Sequence, residues 1–255
     1  MGLCIPMHKW KRKSGIQDTE GIRKIIEESW EPPTITSKDL EKIRSEAEAI
    51  SKLDHPNIIK LLGYSEKAPL LIYEYADYGT LYWQLSKGWK PSMRDALLTG
   101  IQLGDALRYI HYRGLIHGDI KPSNVFVKDG VSKLGDFSSI VKTLTSISFS
   151  KMAYTVGFRA PEQVFSDIRK KARELGVENR IDIYQLANTS LYLLTGESVD
   201  GEEAVDEKLV KEKFDGVPDK ELRRILANAL TFDPVKRPSS EELTKTLYTI
   251  YKKIA

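Results

Sequence analysis

Two short stretches concentrate the groups that could do chemistry. HGDIKPSNV at 117–125 presents Asp119, Lys121 and Asn124 on one loop, and KLGDF at 133–137 adds a second carboxylate, Asp136. Moving a phosphoryl group asks a protein for a carboxylate near the attacking hydroxyl, a cation for the phosphate oxygens and oxygen ligands for Mg²⁺. These side chains supply all of them. Magnesium keeps several waters and takes few, hard oxygen ligands, so Asn124 and Asp136 are a sufficient protein share.

Elements able to position these groups can be read around them. Residues 1 to about 35 are polar and broken by Gly2, Pro6, Gly15, Gly21 and Pro32-Pro33, which predicts short strands and turns. Thr36-x-x-Asp39 is a capping-box pattern opening a helix whose apolar positions Ile43, Ala47, Ile50 and Leu53 recur at three and four. Glu46 falls on the same inward stripe, where a carboxylate needs a cation. HPNIIKLLGY and PLLIYEYADYGTL read as two strands, and after Pro91 the residues Leu97, Ile101, Leu107 and Ile110 predict a helix up to His111. The run from Ile181 to Leu194 is apolar almost all round and stops at Gly196, a buried central helix. Asp182 inside it requires a partner. FSDIRKKARELG predicts a basic helix whose Arg169, Lys170, Lys171 and Arg173 form either a solvated face or a receiver for an acidic partner. Ser239-x-x-Glu242 caps a last helix.

The composition suits a folded chain: of 255 residues 41% are hydrophobic, with only 17 Gly and 11 Pro. The 39 basic residues are interspersed with 36 acidic ones for a net charge of +3, which gives no reason to expect a nucleic-acid partner. Cys4 is the single cysteine, so there is no internal disulfide and a reducing compartment is expected. No run approaches the ~18 to 20 apolar residues that span a bilayer, and Pro6 does not fit a myristoylation signal. The expectation is a cytoplasmic chain with no membrane partner.

The loop at 117–124 matches H-x-D-x-K-x-x-N, and Asp136-Phe137 begins the D-F-G motif, so the chain resembles eukaryotic-type Ser/Thr protein kinases. Lys121, two places after Asp119, is closer to Ser/Thr than to tyrosine kinases. TVGFRAPE at 155–162 is similar to the segment closing the activation loop, RIDIYQLA to the start of the central helix, and DPVKRPS to the late element whose arginine, Arg237, pairs with Glu162. The resemblance implies an α+β bilobal fold: a small antiparallel-sheet N-lobe with one helix over 1–75 and a larger, mainly helical C-lobe over 76–255, together one catalytic domain. It implies ATP and Mg²⁺ as cofactors and a protein substrate. Asp119 would accept the hydroxyl proton, Lys121 would steady the γ-phosphate, and Asn124 and Asp136 would hold the metal. Asp182 would hold the catalytic-loop backbone. Glu46 would pair with a strand lysine, best placed at Lys24, with Lys13 or Arg23 as alternatives. Tyr73 would stand as gatekeeper, with Glu74 and Ala76 offering backbone groups to adenine.

The departures from the pattern carry their own expectations. No G-x-G-x-x-G precedes Lys24, so the phosphate lid is truncated or remade. Ser138 replaces the glycine of D-F-G, which leaves metal binding in place while restricting the loop. Gly118 stands where regulated relatives carry an arginine that meets a loop phosphate. The acceptors between Ser138 and Tyr154 are candidates for autophosphorylation, yet activity is expected not to depend on it. Two other readings stay open: a pseudokinase acting as a nucleotide-binding or scaffold module, favoured by the lid, and a small-molecule kinase, disfavoured by the A-P-E segment and Arg237.

Overall fold

The computed structural model describes residues 37–65, 70–142 and 157–254. The strands expected before residue 36, the capping residue Thr36 and most of the 138–154 loop lie outside these residues. The chain enters on α1 (Ser37–Ile50), which buries Ala47 and Ile50 and leaves Glu46 half-buried on the adjoining edge. Strands β1 (Leu61–Ser65) and β2 (Leu70–Tyr73) pair antiparallel, Leu61 opposite Tyr73 and Ser65 opposite Leu70, with a bulge between Leu61 and Gly63. Helix α1 packs on this pair and on the turn at Phe137–Ser139.

The larger body begins with α2 (Leu81–Ser86), capped by Thr80, whose hydroxyl accepts the Trp83 amide at 3.1 Å. Helix α3 (Met93–Tyr112) opens on a Ser92/Asp95 capping box and sends Leu97, Leu103, Leu107 and Ile110 into the core. Strand β3 (Leu115–Ile116) then leads into the 117–124 loop, whose last turn runs straight into the hairpin of β4 (Val125–Lys128) and β5 (Val131–Leu134). Asp129 and Gly130 close this hairpin with φ of 51° and 76°, the two left-handed residues that a two-residue turn needs to match strand twist. Strand β6 (Val141–Lys142) pairs back onto β3.

Four helical segments follow, α4 (Pro161–Val164), α5 (Ser166–Glu174), α6 (Arg180–Thr195) and α7 (Glu207–Glu212), and then α8 (Lys220–Ala229) and α9 (Ser240–Ile254). Helix α6 is the expected central helix. It is buried along nearly its whole length and ends at Gly196, φ 79°, whose amide returns to the Tyr192 carbonyl. The Ser239/Glu242 box caps α9, Ser239 N–H donating to Glu242 at 2.7 Å and Glu242 N–H to Ser239 at 3.1 Å. Helix α5 is helical as read, but two of its cations serve their own chain. Arg169 Nε donates to the Glu162 carbonyl at 2.8 Å, and Lys171 pairs with Asp233 at 2.8 Å. These contacts favour the reading of a surface helix tied to its own chain near its middle. Among the described residues no helix is long and apolar enough to cross a membrane.

Candidate active site

The β4–β5 hairpin brings the metal candidates to one end. Pairing runs from Lys128/Val131 at the tip to Val125/Leu134 at the base, and beyond it the Gly135 amide donates to the Asn124 carbonyl at 2.9 Å. Asn124 and Asp136 therefore sit just beyond the base of the hairpin, one residue before Val125 and two after Leu134. The hairpin is in turn fixed to the segment before β1, since Leu134 N–H reaches the Asn57 carbonyl and Ile59 N–H the Leu134 carbonyl, both at 2.8 Å. Gly135 permits this closeness: a Cβ there would stand 2.7 Å from Phe126 and 2.8 Å from Ile59.

The 117–124 loop is held from below by Asp182. Its Oδ1 accepts Gly118 N–H at 2.7 Å, and its Oδ2 accepts His117 N–H at 3.0 Å and His111 Nε2–H at 2.8 Å. Asp182 is fully buried, and these bonds are the partners its place in an apolar helix demanded. His117 adds the next constraint. Its Nε2 faces the Gly135 carbonyl at 3.1 Å, which only accepts, so Nε2 carries the proton and Nδ1 accepts the Asp119 amide at 3.3 Å. Gly118 takes φ 76°, where any side chain would be strained.

On this base Asp119, Lys121 and Asn124 converge. Lys121 Nζ lies 2.7 Å from Asp119 Oδ2, and Asn124 Nδ2 donates to the same oxygen at 2.9 Å and to the Asp119 carbonyl at 2.8 Å. Asp119 and Asn124 are each only 5% exposed, so the carboxylate is screened on one side and directed on the other. Among the described residues both side-chain contacts fall on Oδ2, which leaves Oδ1 as the oxygen able to take a proton.

Asp136 is exposed and left-handed, φ 58° and ψ 74°, a conformation that Asp tolerates better than most residues. Phe137 behind it is fully buried with its ring edge-on to His117 at 4.9 Å. The substituted third residue has a visible effect: Ser138 donates its hydroxyl to Asp136 Oδ1 at 2.7 Å. Among the described residues no three His, Cys, Asp or Glu side chains gather into a metal centre of their own. The hard oxygens of Asn124 and Asp136, at one end of one hairpin, fit a cation that brings most of its own ligands.

The remaining candidates lie on α1 and at the end of β2. Glu46 accepts the Tyr73 hydroxyl at 3.0 Å. Lys24, the lysine expected to meet Glu46, lies outside the described residues, as do Lys13 and Arg23. The Glu74 amide donates to the Lys60 carbonyl at 2.9 Å, and the Ala76 carbonyl accepts from Gly79 at 3.1 Å. The Glu74 side chain has a use that sequence reasoning missed: it binds Lys128 at 2.7 Å, Lys133 at 2.9 Å and the Lys60 amide at 3.0 Å. Burial pushes its carboxyl up, but the three hydrogen bonds outweigh this and hold it below the usual carboxylate range. No local pattern marks these lysines, which stand on a hairpin far along the chain. Also missed were Gln163 and Gln185; for Gln185 a polar residue inside an apolar helix was the available signal, while Gln163, in the short PEQV segment, carried none.

Glu162, at the start of α4, meets Arg237 as expected. The guanidinium grips the carboxylate at 2.6 and 2.9 Å, with both side chains fully buried.

Comparison with known proteins gives a consistent picture. Residues 21–249 match the protein kinase domain family. An Aurora kinase of Eremothecium gossypii is 31% identical over 226 residues, covering 84% of this chain and 59% of that protein. An Aurora kinase of Schizosaccharomyces pombe is 30% identical over 220 residues, covering 83% of this chain and 59% of the relative. A probable serine/threonine-protein kinase of Dictyostelium discoideum is 30% identical over 220 residues, covering 82% of this chain and 42% of that protein. The chain thus spans well under two thirds of the length of these relatives.

Proposed function

Since this chain belongs to the protein kinase family, of the eukaryotic serine/threonine type and the α+β bilobal class, we propose that it transfers the γ-phosphoryl group of ATP to Ser or Thr hydroxyls of protein substrates. The observation that carries the reading is the convergence of Lys121 and Asn124 on one oxygen of Asp119. It leaves Oδ1 to face an incoming hydroxyl. The substrate oxygen attacks the γ-phosphorus, the bond to the β–γ bridging oxygen breaks, ADP leaves, and the hydroxyl proton goes to Asp119 Oδ1. Lys121, whose amine lies 2.7 Å from Asp119, balances charge on the transferred group. Asn124 is pinned through its amide nitrogen, so its carbonyl oxygen remains for Mg²⁺, alongside Asp136. Bound there with the nucleotide, Mg²⁺ would neutralise the triphosphate. The Glu74 carbonyl and Ala76 amide would receive the adenine edge. Glu46, steadied by Tyr73, would orient Lys24 on the α- and β-phosphates. In this reading 1–75 and 76–255 are the two lobes, the setting is cytoplasmic, and the acceptors of the loop after Ser139, which is itself buried, are candidates for autophosphorylation.

The absent G-x-G-x-x-G favours a second reading, a nucleotide-binding module without turnover. Incubation with labelled ATP, Mg²⁺ and generic acceptor proteins separates the two. Transfer by the wild type that is lost in Asp119→Asn supports catalysis; nucleotide binding with no transfer supports the module.

A further inference from the structure

Under the reacting carboxylate lies a pair of buried amides that the chemistry above does not use. Gln163 on α4 is 5% exposed and Gln185 on α6 is 1% exposed. Gln163 Nε2 donates to the Gly118 carbonyl at 2.8 Å, and its Oε1 accepts the Ala160 amide at 2.8 Å. Gln185 Nε2 donates to the same Gly118 carbonyl at 3.1 Å and to Gln163 Oε1 at 3.0 Å, while its Oε1 accepts the Ile120 amide at 3.0 Å. Each side-chain amide is engaged through both oxygen and nitrogen.

What this network grips is specific. The peptide plane before Asp119 contains the Gly118 carbonyl and the Asp119 amide; the plane after it contains the Asp119 carbonyl and the Ile120 amide. The glutamines hold the first and last of these four groups. His117 Nδ1 holds the Asp119 amide and Asn124 Nδ2 the Asp119 carbonyl. With both planes fixed, the φ and ψ of Asp119 have no freedom left, and the direction of its side chain follows. Two glutamines buried where apolar residues would pack are expensive unless every polar atom is met, and once met they specify a single arrangement.

We propose that Gln163 and Gln185 are positioning residues for Asp119, joining the catalytic loop to the 157–164 segment through neutral hydrogen bonds. The 157–164 segment and the loop are thereby held together by bonds that do not require a phosphate. Gly118 offers no side chain to meet one, and the coupling passes through its carbonyl instead. The inference rests on the phosphoryl-transfer reading of the site.

The test replaces each glutamine by methionine, which keeps the volume and removes the polar atoms, singly and together. Expected is a fall in kcat of about tenfold or more for each, with KM for ATP within about twofold, measured where the variants are fully folded; the melting temperature also falls, because the Ala160 and Ile120 amides lose their acceptors. The double variant should fall little below the worse single one, because the pair acts as a unit. Full dephosphorylation of the wild type should change its rate by less than about threefold. Wild-type kcat in both single variants, or a gain of about a hundredfold on loop phosphorylation, roughly 2.7 kcal/mol of coupling, would overturn the proposal. Should the variants not fold, hydrogen exchange of the wild type decides: a protected Ile120 amide supports the clamp, and one exchanging at the open-loop rate refutes it. A wild type that transfers no phosphoryl group sinks the functional reading instead, and the exchange measurement then judges the clamp alone.

Discussion

Replacing Arg237 by methionine probes how the end of the chain secures the active-site segment. Arg237 spends its donors completely: two on Glu162 at 2.6 and 2.9 Å, and three on the carbonyls of Thr231, Arg180 and Phe232 at 2.9, 3.0 and 3.1 Å. Its guanidinium also lies over the Tyr184 ring, 4.9 Å from the centroid. Both members of the ion pair are fully buried. Methionine fills much of the same volume, so the loss is electrostatic: the Glu162 carboxylate is stranded in a site water does not reach. Removing one partner of such a pair typically destabilises by about 3 to 5 kcal/mol. For a domain of this size that corresponds to a fall in melting temperature of roughly 6 to 20 °C. Urea titration with a constant slope, read by circular dichroism, measures it. Adding Glu162→Leu removes the stranded charge, and the double variant should recover part of the loss although another buried group is gone. A single variant within about 1 kcal/mol of wild type, or a strictly additive double, would refute the reasoning.

Asp136→Asn should abolish Mg²⁺-dependent transfer while leaving the melting temperature near wild type, since Asp136 is exposed; retained activity would remove it as a metal ligand. Glu74→Gln tests the lysine cluster by pH. The folded carboxyl titrates below its unfolded value, so its contribution to stability is fully present above the ordinary carboxylate range and lost as pH falls through the lower, folded value. The stability gap between wild type and variant should therefore be constant near neutrality and shrink in acid; a gap that widens in acid would contradict it. Lys24→Met should depress kcat/KM by orders of magnitude, roughly 3 kcal/mol or more of transition-state stabilisation. Near-full activity there, with loss at Lys13 or Arg23, would reassign the lysine.

The local sequence was enough to find side chains that the fold brings together. Asp119, Lys121 and Asn124 lie within six positions on a single loop, and Asp136 follows across one tight hairpin, so short-range geometry alone brings them together. The central helix was equally legible, because an apolar run closed by glycine has few other solutions, and Asp182 inside it announced a buried partner. Even the Glu162–Arg237 pair was reachable, though only through resemblance to a family, since nothing local relates residues so far apart.

What the tertiary structure decided is which polar atoms meet at long range. Glu74 reads as a hinge residue offering its backbone, and only folding shows its carboxylate bridging Lys128 and Lys133 on a later hairpin. The cations of α5 read as a free basic face, and packing turns Arg169 and Lys171 onto the chain itself. Gln163 and Gln185 stand on separate helices with no shared period or motif. A hydrogen bond is set by distance and direction between particular atoms, and a one-dimensional pattern carries neither. Hydrophobic periodicity selects the face that is buried; it does not say which carbonyl of a distant loop will lie against it, and here that carbonyl belongs to Gly118, next to Asp119.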